Sequence, residues 1–292
     1  MNNIRILYAM KTNTTSSSKA LFLDLDGTLL RSDKTVSDYS LRILKKISEC
    51  GTVLVPVTGR HLGGIPDSVL QQGISYAICS NGAGLYDVKK RKPIREECIP
   101  EKIITELNSV FPELDVMADI FTFEYAYSDE RNMNVLNDVD ASGAVKDYIR
   151  KSRIIVPDVQ EFCLREKPSV QKITVNFRKI NGIYKNREKL RSILSSYSCL
   201  EFVTGGANNI EITVKSATKG KCITYLSEIT GIPLSETAAI GDTENDISIL
   251  KIVGINIAMK NADPEVKNIC RFITDYDNDN DGAAKFFENN FL

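Results

Sequence analysis

Leu21-Phe22-Leu23-Asp24-Leu25-Asp26-Gly27-Thr28-Leu29-Leu30 is the stretch on which the fold turns. An apolar run ends in two carboxylates two positions apart, followed by a glycine and a threonine. In a strand, residues i and i+2 point to the same face, so Asp24 and Asp26 project together where the strand stops. Like charges about 4 Å apart repel by roughly 4 kcal/mol at an effective dielectric near 20. Such a pair is tolerated where a cation sits between the acids or one of them keeps its proton. Gly27 allows a sharp turn at the strand end, and Thr28 offers a hydroxyl at the loop. Taken alone, the stretch could be no more than a strand followed by an acidic turn.

Working outward, three further stretches end in chemistry-bearing residues. Val53-Leu54-Val55-Pro56-Val57-Thr58-Gly59-Arg60 is an apolar strand ending in a hydroxyl residue, and Thr218-Lys219-Gly220 places a lysine at the start of a helical pattern. Ala238-Ala239-Ile240-Gly241-Asp242-Thr243-Glu244-Asn245-Asp246 is again an apolar strand running into acids. Open parallel sheets bind ligands at the carboxyl ends of their strands, so one crevice can collect Asp24, Thr58 and Asp242 despite their separation in sequence.

The chain alternates short apolar strands with helical patterns, as a parallel sheet covered by helices requires. Strands are expected at Leu21–Leu25, Val53–Val57, Tyr76–Cys79, Ala238–Ile240, Ile255–Ala258 and Arg271–Thr274. Helices are expected over Ser37–Cys50, with Leu41, Leu44 and Ile47 on one face, and over Lys219–Thr230. Between Gly84 and Lys215 the texture changes. Ile173-Thr174-Val175-Asn176-Phe177 and Ile210-Glu211-Ile212-Thr213-Val214 alternate as half-exposed antiparallel strands do, with helical patterns at Glu101–Phe111 and Lys185–Ser195. The expected organisation is a flexible extension at 1–19, a core at 20–83 and 216–292, and an inserted α+β domain at 84–215.

In order and in residue type, these four stretches resemble the motifs of the haloacid dehalogenase superfamily. DLDGTL matches the first, VTGR the second, the lone Lys219 the third and GDTEND the fourth. Ser80-Asn81-Gly82-Ala83, Gly254-Ile255-Asn256-Ile257-Ala258-Met259-Lys260-Asn261-Ala262 and Asp281-Gly282-Ala283-Ala284 are similar to the Cof-type subgroup in particular. The resemblance runs from about Ala20 to the C-terminus. It implies a Rossmann-like α/β core carrying an inserted type C2 (IIB) cap that selects the substrate. It also implies a Mg²⁺-dependent phosphatase acting through an aspartyl-phosphate on a small phosphorylated metabolite, such as a sugar phosphate.

The same resemblance assigns roles. Asp24 is the expected nucleophile, and a carboxylate attacking an anionic phosphate needs its charge neutralised. Mg²⁺ prefers oxygen ligands and binds one or two carboxylates together with a substrate phosphate. Asp24 and Asp242 would supply those carboxylates and Asp26 its backbone carbonyl. Asp26 would be the general acid and then the base, which requires it to hold a proton well above the reference carboxyl value near 3.9. The Thr58 hydroxyl and the amides of Gly59 and Leu25 would donate to the phosphoryl oxygens, Asn245 would contact the phosphate, and Lys219 would place a positive charge on it. Asp246 would stand behind the metal site or the lysine. Lys215 and Lys221 compete with Lys219, and the sequence does not decide whether Arg60 reaches the substrate. A phosphomutase on the same scaffold, or a receiver-like phospho-acceptor module, would use a similar residue set.

Composition narrows the field. Thirty-seven basic against 38 acidic residues give no global field for nucleic acid or an anionic membrane. No run of about 18 apolar residues suggests a membrane span. The seven cysteines (50, 79, 98, 163, 199, 222, 270) contain no C-x-x-C pair and fit reduced thiols in a cytoplasmic protein. His61 is the only histidine, which removes multi-histidine metal sites and leaves it the sole candidate for a Ser-His-Asp triad; its place directly after the second motif puts it near the site, although a lone loop histidine is more often incidental. Asp275–Asp281 lacks the glutamate that ends an EF-hand loop and reads as a solvated turn. Tyr125, Tyr127 and Arg178 are conceivable substrate contacts. Nothing in the sequence sets the oligomeric state.

Overall fold

The computed structural model describes residues 18–205 and 208–292. Of the expected flexible extension at 1–19, only Ser18 and Lys19 fall among the described residues. Lys19 already continues β1 between its neighbours, donating its amide to the Glu236 carbonyl and accepting from the Val53 amide.

Strand β1 (Ala20–Leu23) is buried along its whole length, because parallel neighbours flank it and helices cover both faces. Those neighbours are β2 (Val53–Pro56) and the strand Thr237–Gly241, β14 in chain order. Ile255–Ala258 (β15) and Phe272–Ile273 (β16) extend the sheet in the order β16-β15-β14-β1-β2. Leu21, Phe22, Leu23, Val55, Ala239, Ile240 and Ile257 fill one hydrophobic cluster with Ile43, Leu44 and Ile47 of the helix Asp38–Glu49. Ser37 caps that helix through its hydroxyl, which accepts from the Ser40 amide at 2.9 Å, the usual role of serine there.

A small antiparallel sheet follows, with β3 (Tyr76–Cys79), β4 (Gly84–Asp87) and β5 (Lys92–Glu96) in that order. A parallel bridge from Val57 to Ile78 ties it to β2. Leu85 and Tyr86 lie in the first hydrophobic cluster, so β4 packs with the core although the expected insertion begins at Gly84.

The second large sheet holds six strands: β6 (Met117–Phe121), β7 (Ala126–Asp129), β8 (Arg153–Val156), β9 (Lys172–Asn176), β12 (Leu200–Thr204) and β13 (Ile210–Val214). Their order is β12-β13-β9-β6-β7-β8; a short hairpin of β10 (Lys179–Ile180) and β11 (Ile183–Tyr184) stands apart. Ile120, Ile173, Val175 and Ile212 pack on Leu107, Phe111, Leu190 and Leu194 in a cluster separate from the first. The chain passes between the two sheets twice, and the passages touch. Gly82, at φ 99°, lies so close to the Thr218 backbone that any Cβ there would collide with it. Ser216 donates its hydroxyl to Glu97 at 2.6 Å.

Candidate active site

The carboxyl ends of β1, β2 and β14 point at one cleft of about 710 Å³, whose other wall is β9, β13 and the helix Gly143–Ser152. Asp24, Asp26, Thr58, Gly59, Asp242 and Asn245 line it together, the convergence expected from strand ends. Leu25 is buried behind them, and its carbonyl accepts from the amides of Thr28 and Leu30 to close the turn after β1.

Lys219 is the hub. It opens the helix Lys219–Thr230 and is 1% exposed. Its ammonium donates to Asp24 Oδ1 at 2.8 Å, to Asp246 Oδ1 at 2.7 Å and to Asn245 Oδ1 at 3.3 Å. Of its rivals, Lys221 donates to the Lys215 carbonyl at 3.1 Å, and Lys215 is itself exposed. Burial would lower the Lys219 pKa, but the charges of Asp24 and Asp246 outweigh that and raise it. Burial and the Asp246 charge push the Asp24 carboxyl up to about 7 against the opposing Lys219. Burial, then Asp24 and Asp246, raise Asp242 well above the carboxylate range.

Asp24, Asp242 and Asp246 offer oxygens within 4.8 Å of one another, a crowding that a cation would relieve. Asp246 is fully committed, because its second oxygen accepts from the amides of Asp242 at 3.0 Å and Thr243 at 3.3 Å. Asp24 and Asp242 are the carboxylates left to hold a hard cation, and an all-oxygen donor set suits Mg²⁺. Gly27 makes room for them: it adopts φ 84°, and a Cβ there would collide with the Asp242 carboxylate. Thr28 steadies Asp242 Oδ1 at 3.2 Å.

Asp26 departs from the sequence expectation of a retained proton. Arg60 binds it through both oxygens, at 2.7 Å each, and Lys34 adds a contact at 2.8 Å. Burial alone would raise its pKa, but the hydrogen bonds and charge of Arg60, then of Lys34, hold it well below the usual range. Asp26 is a carboxylate in this arrangement, and its side chain stands outside the Asp24-Asp242-Asp246 cluster. Arg60 also stacks on Tyr148, 4.2 Å from the ring centroid, and donates to the Gly64 carbonyl at 2.8 Å.

The sequence reading missed the clasp over the turn after β1. Asn261 donates to the Gly27 carbonyl at 2.7 Å, and Asn278 to the Leu30 carbonyl at 3.0 Å. Asp279 takes both the amide and the hydroxyl of Ser32 at 2.7 Å, and Asp281 pairs with Arg31 at 3.2 Å. Residues 275–281 are therefore no free solvated turn; they hold the loop that carries Lys34. Partners lying some 250 positions away leave no local pattern to read. Tyr125, Tyr127 and Arg178 do not line the cleft. Tyr125 is exposed, Tyr127 packs on Phe162, and Arg178 is paired with Asp115 and Asp138.

His61 serves as a joint. Its Nδ1 lies 2.6 Å from the Glu124 carbonyl, to which it must donate, and the Leu62 amide donates to the Phe123 carbonyl at 3.1 Å. Burial, then the Arg153 charge, lowers its pKa to about 4. The folded protein therefore keeps it neutral, while the unfolded chain takes up a proton below about 6.5. This contribution to stability is present above pH 6.5 and is lost as pH falls toward 4. Relative to a His61→Gln variant, the wild type is expected to lose about 2 kcal/mol between pH 7.5 and pH 5. Urea unfolding of both proteins at both pH values measures this, and parallel pH profiles would refute it.

A family profile described as haloacid dehalogenase-like hydrolase matches residues 21–287, and the chain belongs to that family. Phosphatase YwpJ of Bacillus subtilis is 28% identical over 285 residues, covering 91% of this chain and 97% of the relative. A haloacid dehalogenase-like hydrolase structure from B. subtilis superposes with TM-score 0.78 at 27% identity, covering 92% of this chain and 99% of the other. A subclass IIB sugar phosphatase shares the fold with TM-score 0.73 at 23% identity, covering 92% and 98% of the two chains. The resemblance to Cof-type phosphatases, and the assignment as a phosphomonoesterase, stand with these findings.

Proposed function

We propose that the chain is a Mg²⁺-dependent phosphatase that hydrolyses a small phosphorylated metabolite, a sugar phosphate by class, through a phosphoryl group carried on Asp24. The observation that carries this reading is the buried lysine holding a carboxylate at the cleft floor, beside a second carboxylate positioned to share a cation. Asp24 Oδ1 is held by Lys219, which leaves Oδ2 to attack phosphorus. Mg²⁺, held by Asp24 and Asp242, would supply positive charge against the phosphate oxygens. Asp26, once released by Arg60, takes a proton from solvent and gives it to the alcohol oxygen as the P–O bond to the alcohol breaks with its electron pair on that oxygen. Water then attacks the phosphorus carried on Asp24 and gives one of its own protons to Asp26, and the bond from phosphorus to the Asp24 oxygen breaks with its pair on the carboxylate, releasing inorganic phosphate and freeing Asp24. The Thr58 hydroxyl and the Gly59 and Leu25 amides are assigned to the phosphoryl oxygens, with Lys219 and Asn245 on the far side.

We place the substrate-selecting cap at about residues 98–215, because β4 and β5 pack with the core and the second cluster begins with Ala83 and Ile99. The named phosphatase relatives favour hydrolysis over mutase chemistry. Seven free cysteines fit the reducing cytoplasm, and no helix among the described residues is long and apolar enough to cross a membrane. Chelation is expected to abolish turnover of p-nitrophenyl phosphate, Mg²⁺ to restore it, and Ca²⁺ to restore little. Calcium takes more ligands at about 2.3–2.6 Å, against about 2.0–2.1 Å for magnesium, and would draw Asp24 into bidentate binding. Full activity after exhaustive chelation would contradict the metal assignment.

A further inference from the structure

Strand β9 turns Ile173 and Val175 to the second hydrophobic cluster and Lys172, Thr174 and Asn176 to the cleft. The cleft-facing three are at most 3% exposed. The Lys172 ammonium is satisfied by the Gly59 carbonyl at 2.6 Å and Glu211 at 2.8 Å. Its two neighbours are not. The Thr174 hydroxyl and both amide atoms of Asn176 are buried without a hydrogen-bond partner. Each such group costs about 1–3 kcal/mol when left unmade, and folded proteins seldom carry several side by side.

The pairing register sharpens the picture. Ser128, Asp119, Thr174 and Glu211 lie side by side across β7, β6, β9 and β13, a polar row that crosses four strands. The charges of this wall are already matched. Lys172 pairs with Glu211, and Arg153 pairs with Asp119 at 2.9 Å. Asp140 is held by Lys179 at 2.7 Å. Among the described residues, Lys172, Arg153 and Lys179 each already have a carboxylate partner, whereas uncharged donors and acceptors are left over.

We propose that Thr174 and Asn176 form the specificity-determining subsite for the alcohol part of the substrate. They take uncharged hydroxyl groups by hydrogen bonds, and the matched wall turns away esters carrying a second anionic group. This rests on the phosphatase reading above. An alcohol hydroxyl can donate to the Asn176 carbonyl while its neighbour accepts from the amide NH₂, and the Thr174 hydroxyl can do either.

The test compares kcat/KM for p-nitrophenyl phosphate, a hexose 6-phosphate, its deoxy analogues and a hexose bisphosphate. The proteins are the full-length wild type, Asn176→Leu and the volume-conserving Thr174→Val. For the hexose 6-phosphate, kcat/KM is expected to fall about 10–100-fold in the variants, with p-nitrophenyl phosphate unchanged within about two-fold. The deoxy analogue that lacks the contacted hydroxyl should lose the difference between wild type and variant. Thermal stability should hold or rise, since an unpaired buried polar group has been removed. Equal losses on all esters, no loss on any, or a wild-type preference for the bisphosphate would each overturn the proposal. A wild type that turns over no ester, p-nitrophenyl phosphate included, would overturn the phosphatase reading along with it.

Discussion

Replacing Asp24 with Asn is expected to lower kcat by about 10⁴-fold or more while leaving the protein folded. The side chain keeps its shape and its place at the end of β1, where it is 5% exposed, but the negative charge proposed to attack phosphorus is gone. Stability should not suffer. Burial and the Asp246 charge already push the Asp24 carboxyl up to about 7, so a neutral amide relieves repulsion in the metal-free protein. Lys219 retains Asp246 as its ion-pair partner. The expected signature is a dead enzyme whose metal-free melting temperature equals or exceeds that of the wild type, and whose Mg²⁺-induced rise in melting temperature is smaller. Near-normal turnover with Mg²⁺ present would remove Asp24 from the centre of the mechanism.

Lys219→Met is expected to damage both activity and fold. The ammonium separates two buried carboxylates, and removing one partner of such a group leaves uncompensated charge at a cost of roughly 3–5 kcal/mol. Turnover should fall by about 10²–10³-fold, the range for losing one preorganised charge at a reacting centre. The stability loss should be greater near pH 8.5 than near pH 6, because unpaired buried carboxylates escape by taking up a proton at the lower pH. Mg²⁺ should raise the variant's melting temperature more than the wild type's, since a second cation then does part of the lysine's work. Calorimetry at both pH values, with and without Mg²⁺, reads all of this. A variant as stable as the wild type at pH 8.5 would show that Lys219 is not the counter-charge.

The parallel core was legible because its strands are buried on both faces and read as unbroken apolar runs. Tyr76–Cys79, Ile255–Ala258 and the helix Lys219–Thr230 match their expected limits. The inserted sheet was only half legible. Ile210–Val214 alternates and was readable. Met117–Phe121 is buried at every position, because Val135, Leu136 and Ile149 cover its second face, and burial on both sides erases the two-residue period. Lys92–Glu96, exposed and holding a proline, gave no strand signal at all. In the site, residue types at strand ends disclosed the acids, the threonine and the lysine, all of which depend on local sequence. The charge state of Asp26 depends on Arg60 and Lys34 arriving from other turns, and the clasp of Asn261, Asn278 and Asp279 arrives from the far end of the chain. Such pairings are set by folding, and no spacing announces them.

A phosphoryl group that passes through Asp24 leaves an acyl phosphate that can be trapped. Quenching the enzyme in acid during turnover, reducing with borohydride and sequencing the peptides by mass spectrometry tests this route directly. An acyl phosphate on the carboxylate is reduced to homoserine, so the account predicts homoserine at position 24, dependent on substrate and absent after chelation. An unmodified Asp24 under conditions of full turnover, or homoserine at position 26 or 242 instead, would contradict it.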